Sequence, residues 1–108
     1  MNRIVTEILK PLNIPVVRGV YKGKETAYIV FKIQELDGHN SDDTNEIETG
    51  ICYLDYWFSN PNDFARCKKI KDLMKADGRV LFKKSEDLDD LNGYKGKAFT
   101  FKINKNID

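Results

Sequence analysis

The residues of this chain best suited to nucleophilic or metal chemistry are one histidine, His39, and two cysteines, Cys52 and Cys67. No serine or cysteine stands beside His39 in a recognisable nucleophile motif, so we interpret it as a solvated loop histidine. The cysteines have neither CxxC spacing nor a histidine partner, which argues against a zinc site. We therefore expect buried, reduced thiols and no cofactor.

A polar segment, residues 37–46, carries enough carboxylates to be tested as a calcium loop. Counted from its first residue, the twelfth position is Glu48, which fits an EF-hand, but the sixth is Asp42, where that loop requires glycine. The flanking residues also have the patterns of strands rather than helices. A looser carboxylate site at Asp42, Asp43 and Glu46 stays open, but a solvated or partner-facing acidic loop fits the pattern better.

Acid–base catalysis by paired carboxylates needs one raised pKa and therefore an apolar pocket. Asp55 lies between Tyr53 and Trp57 and is the carboxylate in apolar company. The alternative without catalysis is that Asp55 lies on a face of the sheet and pairs with a lysine of the next strand. The acidic residues 86–90 have the composition of a solvated segment. We therefore do not expect an enzyme.

The elements that would position these residues are read from hydrophobic periodicity. Residues 3–12 have the apolar stripe of a short amphipathic helix, and residues 14–17 read as extended, since Ile14 precedes a proline. Residues 26–36 are apolar on both faces in the middle, and residues 47–58 alternate. We expect these two stretches to pair as a long hairpin whose loop is the acidic segment, with its second apolar face covered from elsewhere.

A second helix follows, with Asn60 as its N-cap, Pro61 in its first turn and Gly78 as its left-handed stop. Phe64 is placed on its buried side. A third strand is expected at residues 79–83, and a fourth at 94–103 after the turn Asn92-Gly93, with Phe99, Phe101 and Ile103 facing inward. The chain is then one α+β domain, residues 1–108, of α-β-β-α-β-β order. Its mainly antiparallel four-stranded sheet carries both helices on one face.

The chain has 108 residues and a net charge of +1, which argues against a globally basic nucleic-acid binder. No apolar run is long enough for a membrane span, and the first residues do not resemble a signal peptide. The charges are nevertheless segregated, since residues 41–63 carry six acidic and no basic groups, whereas residues 64–84 carry eight basic and two acidic groups. These segments either neutralise each other within one subunit or meet between subunits, head to tail. The candidate subunit interface comprises Asp42, Asp43, Glu46, Glu48, Arg66, Lys68, Lys69, Lys71 and Lys75.

The order of these elements, and several short phrases, resemble a known group of proteins. After the first helix come Ile14-Pro15-Val16, Gly19-Val20-Tyr21-Lys22-Gly23, Tyr28-Ile29-Val30-Phe31, Asp42-Asp43, the aromatic run Tyr53–Ser59, and a helix over 62–78 containing Lys69-Ile70-Lys71-Asp72-Leu73-Met74. Over nearly the whole chain, this resembles the small tail proteins of phages and prophages of Gram-positive bacteria. That group is similar to the tail terminator, or tail-completion, proteins of long-tailed phages. The family usually has an acidic, tyrosine-containing closing stretch, which residues 86–94 match only loosely.

The resemblance implies a structural role without catalytic residues. Such proteins form a ring, commonly a hexamer, that caps the tail tube and joins it to the head connector, and DNA passes through its lumen. The chain would then act in the tail or neck of a virion assembled in the bacterial cytoplasm. Two alternatives stay open: an adaptor or inhibitor that binds a protein through the acidic hairpin, and a minor enzyme or DNA-binding module. Sequence-specific DNA reading is not expected, because no aromatic shares the basic face of the second helix.

Overall fold

The computed structural model describes residues 2–36 and 49–104. Strands make up most of its regular structure, and the two α-helices flank the first three of them. In chain order the elements are α1 (Asn2–Leu9), β1 (Val16–Arg18), β2 (Ala27–Leu36), β3 (Thr49–Phe58), α2 (Arg66–Ala76), β4 (Val80–Leu91) and β5 (Tyr94–Asn104), with 3-10 helices at Lys10–Leu12 and Pro61–Ala65.

The strands form one five-stranded sheet in the order β1-β2-β3-β5-β4. The predicted four-stranded sheet of α-β-β-α-β-β order is therefore wrong. The extra strand is β1, which runs parallel to β2 and pairs Val16 with Ile29, whereas the other neighbours are antiparallel. Three residues are too few to show strand periodicity, so only the partner strand identifies this segment as part of the sheet.

The hairpin of β4 and β5 is longer than predicted, because β4 continues through the acidic residues to Leu91. Lysines on β5 pair with the carboxylates of this extension: Lys97 Nζ lies 2.9 Å from Asp87 Oδ1 and Lys95 Nζ lies 3.5 Å from Asp90 Oδ2. The predicted turn at Asn92-Gly93 is confirmed, and both residues have the positive φ that a type I′ turn requires.

The second helical segment begins as predicted, since the Asn60 side chain accepts a hydrogen bond from the backbone N–H of Asn62. Its end differs from the prediction: the α-helix stops at Ala76 with Asp77 in an extended conformation, so Gly78 is not a left-handed stop. The Asp77 carboxylate instead accepts hydrogen bonds from the backbone and side chain of Arg79. Because of the side-chain hydrogen bond, the pKa of Asp77 lies below its ordinary value.

The core lies between one face of the sheet and the helices, as predicted. Ile4, Val5 and Leu9 of α1 and Ile70 and Met74 of α2 are buried there. The inward alternation predicted for β5 is confirmed, since Phe99, Phe101 and Ile103 are also buried. In the two described ranges, no helix covers the opposite face of the sheet. We call this surface the open face; it carries Tyr28, Val30, Lys32, Tyr53, Asp55, Trp57, Ala98 and Thr100.

Candidate subunit interface

The basic residues predicted for the interface all lie on or at the start of α2, but they have different environments. Lys68, Lys69 and Lys75 are exposed, whereas Arg66 and Lys71 are half-buried. Three lysines are therefore available to a partner, and the other two cations are held by neighbouring side chains.

Arg66 joins α2 to the sheet. Its Nη1 donates a hydrogen bond to the Tyr56 hydroxyl at 2.8 Å and lies 3.5 Å from Asp63 Oδ1. The buried Tyr56 in turn donates its hydroxyl hydrogen to the backbone carbonyl of Asp63 at 2.9 Å. The guanidinium thus satisfies a hydroxyl at the edge of the core, so we assign Arg66 a structural role.

Replacing Tyr56 by phenylalanine is expected to lower the free energy of unfolding by about 1–3 kcal/mol, because the Asp63 carbonyl and the Arg66 guanidinium each lose a partner. Urea denaturation of the two proteins measures this difference. Tyr53→Phe is the matched control, since the exposed Tyr53 hydroxyl donates a single hydrogen bond among the described residues, to the Gln34 amide oxygen at 3.2 Å. Equal losses of unfolding free energy in the two variants would contradict the structural role assigned to Arg66 and the Tyr56 hydroxyl.

Lys71 also has a structural contact, because its ammonium lies 4.3 Å from the centre of the Phe82 ring. Phe82 packs in turn against the buried Phe101, with 5.7 Å between ring centres. A cation over an aromatic face is stabilising, and here it covers a partly exposed ring at the rim of the core. A charge reversal at Lys71 would therefore disturb folding as well as any interface.

The remaining three lysines differ in their ion pairing. Lys68 Nζ lies 2.7 Å from Asp72 Oδ2, one turn further along the helix, and its hydrogen bond holds the pKa of Asp72 below the ordinary value. Within residues 2–36 and 49–104, Lys69 and Lys75 have no ion pair. An exposed pair such as Lys68–Asp72 contributes little to stability, so Lys69 and Lys75 are the cations most open to a second protein.

The acidic half of the predicted interface, Asp42, Asp43, Glu46 and Glu48, lies outside the described residues, and so does His39. The structure therefore neither joins these carboxylates to α2 nor separates them from it. A second acidic surface lies on the outer half of β4, where Glu86, Asp87, Asp89 and Asp90 are all exposed. Their composition predicts a solvated segment, although the Asn-Gly turn and the facing lysines of β5 are the signals of a hairpin.

Asp55 lies in the middle of the open face, opposite Val30 of β2 and Ala98 of β5. Its carboxylate forms no side-chain hydrogen bond or ion pair with another described residue, so the lysine pairing expected from the sequence is not formed. Burial raises the pKa of its carboxyl; the nearby charge of Lys32 offsets this in part, and that of Glu86 adds to it. A hollow of about 180 Å³ beside Asp55 is bounded by Gly19, Lys32 and Tyr53.

Asp55→Asn is expected to raise the free energy of unfolding at pH 7. The folded-state pKa is raised, so folding favours the protonated carboxyl, and stability is lost as pH rises from the unfolded-state pKa through the folded-state value. Asparagine does not ionise and avoids this loss. Denaturation at several pH values should show the gain at pH 7 and its disappearance below about pH 3. Asp89→Asn, at an exposed site, should change the free energy of unfolding by less than about 0.5 kcal/mol at pH 7. If Asp89→Asn raised it as much as Asp55→Asn does, the effect would not come from the burial of Asp55.

Both cysteines are free and buried, and burial raises the pKa of the Cys52 thiol to about 12. Among residues 2–36 and 49–104, no group of three or more histidine, cysteine or carboxylate side chains could hold a metal ion. No helix in those ranges is both long enough and apolar enough to cross a membrane.

No protein-family model matches the sequence, and neither does any curated protein. Among solved structures, the chain is similar to a chain of the virion of a native gene transfer agent particle, with a TM-score of 0.61 and 14% sequence identity. The similarity covers 90% of this chain and 82% of that chain. At this identity the comparison establishes a shared fold.

Proposed function

We propose that this protein is a structural component of a phage-like virion. The observation that carries the proposal is the fold shared with a chain of the gene transfer agent virion over most of both chains. The phrases noted in the sequence support the same class independently of the fold.

Within that class we propose the role of a tail terminator or tail-completion protein, a closed ring of copies that caps the tail tube and joins it to the head connector. Two features support it: the sequence resemblance, and the presence on one chain of a basic helix and separate acidic segments. Opposite charges on different segments of one subunit allow a head-to-tail contact between copies, and such a contact forms a ring when its rotation closes. The ring would be part of the tail or neck, assembled in the host cytoplasm, with DNA passing through its lumen unread.

Sedimentation velocity over a concentration series, with and without the purified tail-tube protein, tests this role. We expect a multiple of the subunit mass, or a stable cap on the tube seen by electron microscopy. A protein that stays monomeric in both conditions would contradict the ring. If it bound another single protein as a one-to-one complex instead, the adaptor alternative would be favoured.

A further inference from the structure

The two edges of the sheet differ in how much free backbone they offer. At one edge β1 has three residues and follows Pro15, which has no N–H to give to a partner. At the other edge β4 has twelve residues, and within residues 2–36 and 49–104 its single neighbour in the sheet is β5. Its outer side therefore carries backbone N–H and C=O groups of the kind that bind a further strand.

The middle of β4 is regular. Residues 84–88 pair in unbroken register with β5, and the register shifts on both sides of them, between Phe82 and Lys84 and between Leu88 and Leu91. Such irregularities bend a strand and hinder the pairing of its edge. A contact with a further strand is therefore confined to residues 84–88, which we call the straight stretch.

The backbone of the straight stretch points alternately toward β5 and away from it. Asn104 of β5 donates its N–H to the Arg79 carbonyl, so Asn104 faces β4. Every second residue of a strand faces the same neighbour, so Ala98 faces β4 as well, where Glu86 lies opposite it. Ser85, next to Glu86, therefore directs its N–H and C=O away from β5, toward an incoming strand.

The charges of the straight stretch favour one register with a second copy of β4. In a two-fold antiparallel pair, the residue at the axis lies opposite its own copy, and residues equally far on either side of it lie opposite each other. An axis at position 84, 86 or 87 puts a charged residue opposite its own copy, and an axis at Leu88 puts carboxylates opposite carboxylates. With the axis at Ser85, Lys84 of each copy lies opposite Glu86 of the other.

Lys84 and Glu86 are free to form these pairs. Both side chains are exposed, and within the described ranges neither has an ion pair. Both belong to the open face, because they lie opposite Thr100 and Ala98 of β5. In the two-fold register, the two oppositely charged side chains therefore meet on the same side of the joined sheets.

We propose that β4 of one copy pairs with β4 of a second copy about a two-fold axis at Ser85. The occupant of the edge is argued from the backbone groups, which require an extended strand, and from the charges, which are complementary to those of the same strand turned around. The inference goes beyond the proposed ring and does not rest on it, since a two-fold contact joins two copies whereas a ring needs a head-to-tail contact. Five paired residues bury far less than the roughly 1,000 Å² of a stable interface. We therefore expect a weak dimer, seen at protein concentrations of about 1 mM and dissociated in the dilute solutions in which the ring is measured.

Exchanging the charges tests the register. Lys84→Glu and Glu86→Lys should each raise the dissociation constant of the dimer at least about tenfold in sedimentation equilibrium, because like charges then lie opposite each other at both symmetry-related positions. A mixture of the two single variants should recover the wild-type affinity as a heterodimer, since opposite charges face each other again at both positions. The double variant K84E/E86K should recover it alone. Lys24→Glu is the matched control, because Lys24 is exposed in the loop before β2 and its reversal makes the same change in net charge as Lys84→Glu.

Amide hydrogen exchange tests the backbone pairing separately. The N–H of Ser85 should exchange more slowly at high than at low protein concentration, whereas that of Glu86, bonded to β5 within one copy, should change little. A wild-type protein that stays monomeric at about 1 mM would overturn the inference. Single variants whose mixture does not recover the dimer would overturn it as well, and neither result bears on the head-to-tail contact of the ring.

Discussion

The double variant K69E/K75E is expected to lose self-association at low ionic strength, with a dissociation constant raised at least about tenfold per subunit contact. Lys69 and Lys75 are exposed on α2 and have no ion pair in the described ranges, so their charges are available to a neighbouring subunit. Reversal turns each attraction of the proposed ring into a repulsion, and the loss would be repeated at every contact of that ring. Because the pairs are exposed, raising the salt concentration should reduce the difference between variant and wild-type. Sedimentation velocity at two salt concentrations measures both effects.

The structure also defines the control for this experiment. K83E/K84E makes the same change in net charge at exposed positions of β4, outside α2. It should assemble more nearly like wild-type than K69E/K75E does. Equal losses in both variants would point to net charge alone and contradict a specific role for the helix. Lys71 and Arg66 are left unchanged, because they contact Phe82 and Tyr56 and their loss would confuse assembly with folding.

The largest effect on stability is expected for Phe101→Ala, with a loss of about 3–5 kcal/mol in the free energy of unfolding. Phe101 is fully buried on β5, opposite Cys52, and its ring lies 6.1 Å from that of Phe99 and 5.7 Å from that of Phe82. Alanine would leave a cavity among rings held in place by the sheet. For a domain of this size the melting temperature should fall by about 15 °C or more. Thermal and urea denaturation measure the change.

Leu81→Ala is the companion variant, because Leu81 lies on the adjacent strand and is 58% exposed. Its loss should stay within about 0.5 kcal/mol, as at most surface positions. A small effect at Phe101 would mean that the core does not depend on the aromatic layer between β3, β5 and β4. The same measurement on K69E/K75E shows whether that variant remains folded.

Some strands of the sheet could be predicted from the local sequence pattern, and others could not. The pairing of residues 26–36 with 47–58 and the inward ring of Phe99 and Phe101 were predictable, because alternation with period two marks the buried face of a strand. The strand β1 was not predictable, because three residues after a proline have the pattern of an extended linker. Its pairing with β2, which begins at Ile29, is what identifies it as a strand. The acidic half of β4 was missed for a different reason: its charges are typical of a loop, and only its backbone pairing with β5 shows that it is a strand.

In the second helical segment, the start could be predicted from the sequence but the end could not. The cap at Asn60 was predictable because it depends on a side chain and a backbone group two residues apart. Its end was not, because Asp77 is extended and bonds to Arg79, which removes the need for a left-handed glycine at position 78. Phe64 likewise follows the apolar stripe in sequence, but the 3-10 geometry of the first turn shifts it off the buried side.

The sequence by itself predicted the two helices, the long pairing of β2 with β3, the inner half of the β4–β5 pair and the segregation of charge, because each depends on the order and spacing of residues along the chain. Only the tertiary structure decided which of the five cations of α2 are free, since Phe82 and Tyr56, which hold Lys71 and Arg66, belong to other strands. It also decided that Phe64, which the apolar spacing places on the buried side of the helix, is 59% exposed. Availability of a charge or an apolar side chain to a partner depends on what already covers it, and that is a property of neighbours distant in sequence.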